Sequence, residues 1–205
     1  MIKVLLKNSS EFLELSKAEF EKKMEIRWLD HLDFSNEKVI QKVVCRSEKA
    51  MKKKELSIRE KWIGTHFHKE ILYSFLPMVS IRWIDEKIGY GVFAEKDIPA
   101  GAYIGEYTGL VRKRTRWIDR KNDYCFEYTI GDWIYNPFII DAKDQGNFTR
   151  YINHRDDPNL DPLSVFADGV MHIVFVTKKI IPKGAELSYH YGDTFWKKRS
   201  KTNKI

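Results

Sequence analysis

The sequence predicts an α+β protein, a mostly β fold of short strands preceded by an α-helical amino-terminal region. Three observations carry this expectation. Seven segments beyond residue 78, "VSIRWI", "GVFA", "AYIGEY", "YCFEYTI", "FIID", "SVFA" and "VMHIVFV", are rich in β-branched and aromatic residues and are separated by Gly, Pro, Asn or Asp. Helical spacing is concentrated in residues 1–78, with one brief helical stretch later, near Asn147 to Ile152. Helices therefore do not alternate with the strands, which sets aside a doubly wound parallel sheet.

Taken in order, residues 1–78 read as helical. Phe20, Met24 and Trp28 stand four apart on one helical face, and Ser35 or Asn36 is placed to cap a second helix carrying Val39, Val43 and Ala50. The run "KAMKKKELSIREKW" puts basic residues on that helix or the next; a solvated face is the first reading, and contact with nucleic acid or an acidic partner the second. Gly64 offers a break, and "THFHKEILYSFLP" gives a last short helix stopped by Pro77. His66 and His68 lack a third ligand at metal-site spacing and read as surface histidines. Among the strands, Asp168-Gly169 is a hairpin signal. "IPAGAYIGEYTG" from Ile98 and "IPKGAELSYHYGD" from Ile181 each set a Pro-x-Gly turn before a tyrosine-bearing strand, which suggests two equivalent corners of a sheet. Residues 197–205, "KKRSKTNKI", form a tail with five basic residues and no acidic one. The expected division is a helical region at 1–78, a catalytic domain at 79–196 and the tail.

Composition narrows the class. At 205 residues, with 43% hydrophobic and 14% aromatic side chains, the chain suits one packed domain with a helical arm. No apolar run approaches the roughly 20 residues of a membrane span, so no membrane partner is expected, and the start turns acidic too soon for a signal peptide. Cys45 and Cys125 lie far apart without a CxxC pair, which fits a reducing compartment and excludes a cysteine-built zinc cluster. A net charge of +7 makes a polyanionic neighbour plausible without naming one.

"RYINHRDDPN", Arg150 to Asn159, admits a metal site around His154, a catalytic base, or a backbone lock over something bound. Gly89-Tyr90-Gly91 alone reads as a turn, lacking the third glycine and following helix of a dinucleotide site. Together, however, "GYGVFA", "YIGEYTG", "DYCFEY", "GNFTRYINHRDDPN" and "ELSYHYGDTFW" resemble, in order and spacing, the SET domain protein-lysine methyltransferases over about residues 79 to 196. The resemblance implies a SET fold in which the carboxy-terminal segment crosses the Asn147 to Asn159 segment in a knot-like way.

It also implies S-adenosylmethionine as cofactor. Asn153 would reach its methionine end and the His154 backbone its adenine, which leaves His154 neither a metal ligand nor a base. Gly89 and Gly91 would let the backbone approach without a Cβ, while Tyr90 would add a backbone contact and cover the methionine portion. Tyr191 matches the tyrosine at the methyl-transfer centre. A lysine ammonium must lose its proton before it can attack a sulfonium methyl, and in-line transfer then depends mainly on alignment. Tyr191 would orient the amine and polarise the methyl rather than act as a base. Tyr189 matches a position that is tyrosine or phenylalanine in the family; a hydroxyl there holds a water and crowds the channel, implying mono- or dimethylation. Tyr124 would line the lysine channel, with Phe195 and Trp196 closing that channel or the cofactor pocket.

The chain departs from the family pattern at Arg155 and Asp156, where many members have Ser-Cys, and at His190, where many have Asp. It also lacks the zinc-binding cysteines that flank the domain in many chromatin-acting members, a supporting role left to the helices, to the tail or to a homodimer. The expected substrate is a lysine of a histone or another basic DNA-associated protein, met by a local negative groove of Glu106, Asp123, Glu127 and Asp132, with nucleic-acid contact through the basic runs. The alternative is a SET fold that has lost catalysis and binds nucleic acid or chromatin. A metal hydrolase has no ligand spacing to recommend it. A bacterial cytoplasm, a nucleus and host chromatin remain open as locations.

Overall fold

The computed structural model describes residues 1–131, 137–192 and 195. The chain runs β1 (Ile2–Leu5), β2 (Leu13–Leu15), α1 (Lys17–Met24), β3 (Arg27–Trp28), β4 (Asp33–Phe34), α2 (Glu37–Lys52), α3 (Ile58–His66) and α4 (His68–Leu72). There follow β5 (Val79–Asp85), β6 (Gly89–Ala94), β7 (Tyr103–Glu106), β8 (Leu110–Lys113), α5 (Arg116–Asp119), β9 (Cys125–Glu127), β10 (Phe138–Asp141) and β11 (Gln145–Gly146). A 3-10 turn at Phe148–Tyr151 leads to β12 (Asn153–His154), β13 (Leu160–Ala167), β14 (Val170–Thr177) and β15 (Ser188–Tyr189). Small sheets share one core, in the orders β2-β1-β5-β6, β4-β8-β10-β9, β13-β14-β7, β11-β3 and β12-β15. The fold is α+β and mostly β.

Residues 1–78 are not purely helical. In "IKVL" Ile2 and Val4 turn inward while Lys3 faces out to ion-pair with Glu95, and this two-residue alternation is that of a strand. β1 runs parallel to β5, while β3 joins β11 and β4 joins β8. The expected Phe20, Met24, Trp28 helical face stops at Met24, because Glu25 takes a left-handed conformation at φ 53°. Trp28 falls in β3 yet still meets Phe20 edge-on, with ring centroids 5.2 Å apart.

Asn36 caps α2, its side-chain oxygen accepting the Val39 N–H at 3.1 Å, and α2 buries Val39, Val43 and Ala50 in the same core as Ile104, Val111 and Tyr189. Gly64 is no break. It lies inside α3, where an added Cβ would stand 2.0 Å from the Phe166 carbonyl oxygen, so the glycine lets α3 rest on β13. Beyond it, His66 stacks on Trp62 at 5.0 Å, and His68 bonds Asp168 at 2.9 Å.

Asp168 and Gly169 both have positive φ, 47° and 83°, as a two-residue hairpin between β13 and β14 requires. The two similar Pro-x-Gly corners meet each other: Ile98 and Ile181 exchange both backbone hydrogen bonds, each 2.9 Å long. No helix among the described residues is long and apolar enough to cross a membrane.

Candidate active site

Four stretches far apart in sequence converge where β6, β9, β12 and β15 meet. β12 and β15 run parallel, Asn153 opposite Ser188 and His154 opposite Tyr189, so the Asn-His pair and the "ELSYHYG" segment lie side by side. Asn159 fastens the same junction, donating to the Glu186 carbonyl and accepting from the Ser188 N–H, each at 2.8 Å.

Asn153 is held rigidly. Its Nδ2 donates to the Tyr90 carbonyl at 3.1 Å and to Glu186 Oε1 at 2.9 Å, while Arg155 donates to Glu186 Oε2 at 2.9 Å. Among the described residues nothing donates to Asn153 Oδ1, which leaves that acceptor for a ligand. The two glycines have separate reasons to lack a side chain. Gly89 sits at φ 80°, where its backbone is open to solvent or ligand. A Cβ on Gly91 would meet Ile84, Glu186 and Asn153 at 2.7–3.1 Å, so protein already presses on it. The Tyr90 ring lies against Trp83 and Tyr151, with centroids 5.1 and 5.8 Å away.

His154 is buried. Its Nδ1 accepts the Tyr191 N–H at 3.2 Å, which puts the ring proton on Nε2, 3.2 Å from Asp156 Oδ1. His190 lies 4.8 Å away, ring to ring, and its Nδ1 accepts the Gly192 N–H at 3.0 Å. His154, Asp156 and His190 thus gather metal-ligand atoms within 4.8 Å. Each of the two histidines accepts an amide proton at Nδ1, from Tyr191 and from Gly192. The departures Asp156 and His190 pack around the buried His154, Asp156 by a hydrogen bond and His190 by ring contact.

An aromatic enclosure stands beside it. Tyr189, 8% exposed, has ring neighbours Tyr191 at 4.7 Å, Phe175 at 4.8 Å and Phe126 at 6.0 Å. The Tyr191 hydroxyl donates to the Ile152 carbonyl at 2.9 Å, and burial, reinforced by Tyr124, Asp123 and Glu186, raises its pKa far above the usual phenol value. Tyr191 is therefore a phenol at any physiological pH. Burial likewise pushes Tyr189 up, with Tyr191 and Tyr107 adding to it. Tyr124 is half-buried under the Arg150 guanidinium, 3.9 Å from its ring centroid, and its carbonyl accepts the Tyr107 hydroxyl at 2.8 Å. Phe195 packs edge-on against Tyr191 at 4.7 Å, whereas Trp196 lies outside the described residues.

The sequence reading did not single out Glu186, Tyr107, Phe126 or Arg150 for this site. Glu186 carried a signal, as the one carboxylate in the "ELSYHYG" motif that holds Tyr191. The proposed negative groove needs revision. Glu106 is buried and bonds His172 at 2.6 Å, far from any groove role, and Glu127 is ion-paired to Arg114 at 2.9 Å. Asp123 is exposed, and Asp132 lies outside the described residues.

Comparison with known proteins gives this constellation a family. The family model described as "SET domain" matches residues 89–192. Histone-lysine N-methyltransferase SETD2 of Homo sapiens is 32% identical over 111 residues, which is 53% of this chain and 4% of that protein. Histone-lysine N-methyltransferase, H3 lysine-9 specific SUVH5 of Arabidopsis thaliana is 38% identical over 112 residues, 52% of this chain and 14% of that protein. The structure of ctPRC2 in an autoinhibited conformation bound to S-adenosylmethionine aligns at TM-score 0.54 and 30% identity, covering 61% of this chain and 16% of that one. KRYPTONITE in complex with mCHH DNA, H3(1-15) peptide and SAH aligns at 0.51 and 30%, covering 63% and 26%. The chain thus spans only a small part of the length of these relatives. With Asn153-His154 laid against the "ELSYHYG" strand and the match running over half its length, the chain belongs to the SET domain family.

Proposed function

We propose that the protein transfers a methyl group from S-adenosylmethionine to the ε-amine of a lysine in a protein substrate. The observation that carries this reading is the junction of Tyr90, Asn153, Glu186, His154 and Tyr191, in which three distant motifs complete one another through hydrogen bonds. The residues present suit the cofactor. Asn153 keeps an acceptor turned to a ligand beside the Glu186 carboxylate, a pairing suited to the ammonium of the methionine end, and Gly89 leaves its backbone bare. A bound ctPRC2 structure and an SAH complex of KRYPTONITE among the structural neighbours support the same cofactor.

S-adenosylmethionine supplies a methyl group activated by its sulfonium. The protein's part is to dry, align and orient. Phe126, Phe175, Tyr189 and Tyr191 form an enclosure in which a charged ammonium is disfavoured, so the incoming lysine gives up its proton to solvent on entry. Tyr191, its own proton committed to Ile152, presents oxygen lone pairs to the neutral amine and fixes its direction of attack. As a phenol of strongly raised pKa it orients and does not act as a base.

The substrate we infer is a histone or another basic DNA-associated protein, supported by the histone-lysine methyltransferase names of the relatives and by the H3 peptide of a neighbour. The Tyr189 hydroxyl narrows the enclosure and limits the product to mono- or dimethyl-lysine. Incubation with histone H3 and S-adenosylmethionine, read by mass spectrometry, is expected to give those states, with Tyr189→Phe shifting product toward trimethyl-lysine. Trimethyl-lysine as the main wild-type product contradicts the limit set by Tyr189, and no methylation of H3 or any basic protein contradicts the substrate class.

A further inference from the structure

The segment between β8 and β9 carries a surface that the methyl-transfer site leaves unused. Residues 113–121 read "KRTRWIDRK", five basic residues and one acidic. That acid, Asp119, is turned inward. One oxygen accepts from Arg112 and the other from the Thr115 N–H, each at 2.7 Å, while Arg112 also pairs with Asp141 at 2.8 Å. Asn122, buried at the far end, donates to Asp141 at 2.7 Å. These bonds fasten α5 at both ends and neutralise its only acid. Lys113, Arg120 and Lys121 are exposed and make no ion pair among the described residues, although Arg114 is engaged by Glu127.

Two large apolar side chains project from this anchored base. Trp117 is 81% exposed and Ile118 59%, and the Arg120 guanidinium lies 5.9 Å from the Trp117 ring centroid. An indole held in water beside the Arg120 guanidinium offers a stacking face to a base, with Lys113, Arg120 and Lys121 all within four residues of it in sequence to meet the phosphates. A four-residue helix with two apolar side chains has too little apolar area to insert into lipid. A duplex buries its base faces, so the exposed indole favours a single strand.

We propose that residues 113–121 bind single-stranded nucleic acid, with Trp117 stacking on a base and the three cations on the backbone. Asn122 Oδ1 accepts the Tyr124 N–H at 3.0 Å, so this surface leads directly into the wall of the candidate lysine channel. The substrate protein would then be one already on nucleic acid. That consequence rests on the methyl-transfer reading, whereas the binding itself does not.

The test is fluorescence anisotropy of a labelled oligothymidylate of about 20 nucleotides with the full chain across a salt series. Trp117→Ala is expected to weaken binding at least about 5-fold with the salt slope kept, and Arg120→Glu with Lys121→Glu to flatten the slope. Both variants should keep the wild-type melting temperature, since these side chains are exposed, and should still bind S-adenosylmethionine. Lys49→Glu with Lys52→Glu on α2 is expected to leave the affinity within about 2-fold. Unchanged affinity in Trp117→Ala overturns the proposal, as does binding that depends only on α2 or on residues 197–205. Trp117-dependent binding to phosphatidylserine vesicles or to an acidic protein without oligothymidylate binding overturns it as well. None of these failures touches the methyl-transfer reading, which the S-adenosylmethionine titration tests separately.

Discussion

At the scale of single residues, the site depends on one side chain holding another. Asn153 can face a ligand in one orientation only because Glu186 and the Tyr90 carbonyl take both protons of its amide. Glu186→Ala should therefore weaken S-adenosylmethionine binding about 10-fold in calorimetric titration, and Glu186→Gln less. An unchanged affinity in Glu186→Ala would show that Asn153 needs no such support. That Asn153 and His154 lie beside the Tyr191 segment was legible through the resemblance of their motifs to the SET family. Glu186 was not, because what selects it is an amide 33 positions away in sequence. Gly91 shows the same limit: a motif marks the glycine, but the Ile84 and Glu186 atoms that forbid a Cβ are visible only in three dimensions.

Elements tell a parallel story. β5, β6, β7, β9, β10, β13 and β14 were readable because runs such as "VMHIVFV" join β-branched and aromatic residues between turn signals, and Asp168-Gly169 fixes the hairpin. β1 to β4 were not, since strands of two to four residues carry too few alternations to outweigh the helical spacing around them. β8, "LVRK", was missed for the same reason and gains its place from β4 and β10 on either side. Gly64 separates local preference from packing. In an open helix Gly→Ala stabilises by about 1 kcal/mol. Here the Cβ would strike the Phe166 carbonyl, so Gly64→Ala should lower the unfolding free energy by about 1–3 kcal/mol in urea titrations. A stabilising effect would mean that α3 does not lie on β13 as described.

For the whole molecule, the amino-terminal segment is part of the fold rather than an arm beside it, because β1 completes a sheet with β5 and α2 enters the shared core. Two ionic links, one part-buried and one buried, make that fold pH-dependent from opposite sides. Burial alone would raise Glu95, but Lys3, Ser80 and Arg82 outweigh it and hold the carboxyl at about 2. Its contribution is present above its ordinary 4.5 and fades as pH falls toward 2. Burial alone would lower His172, but Glu106 beside it overrides this and raises the imidazole above its ordinary 6.5. That contribution is complete below 6.5 and is lost as pH rises through the raised value. Melting temperature should accordingly fall on the alkaline side in the wild type and fall less in His172→Gln; equal slopes would remove the Glu106–His172 pair from the account. The central claim is that the Asn153 junction is a cofactor site in a methyl-transferring SET domain. Its most direct test is calorimetric titration of the folded protein with S-adenosylmethionine, carried to high ligand concentration. Binding to the wild type that is lost in Asn153→Ala and kept in Tyr191→Phe is the result predicted, and a folded wild-type protein that binds no S-adenosylmethionine would contradict it.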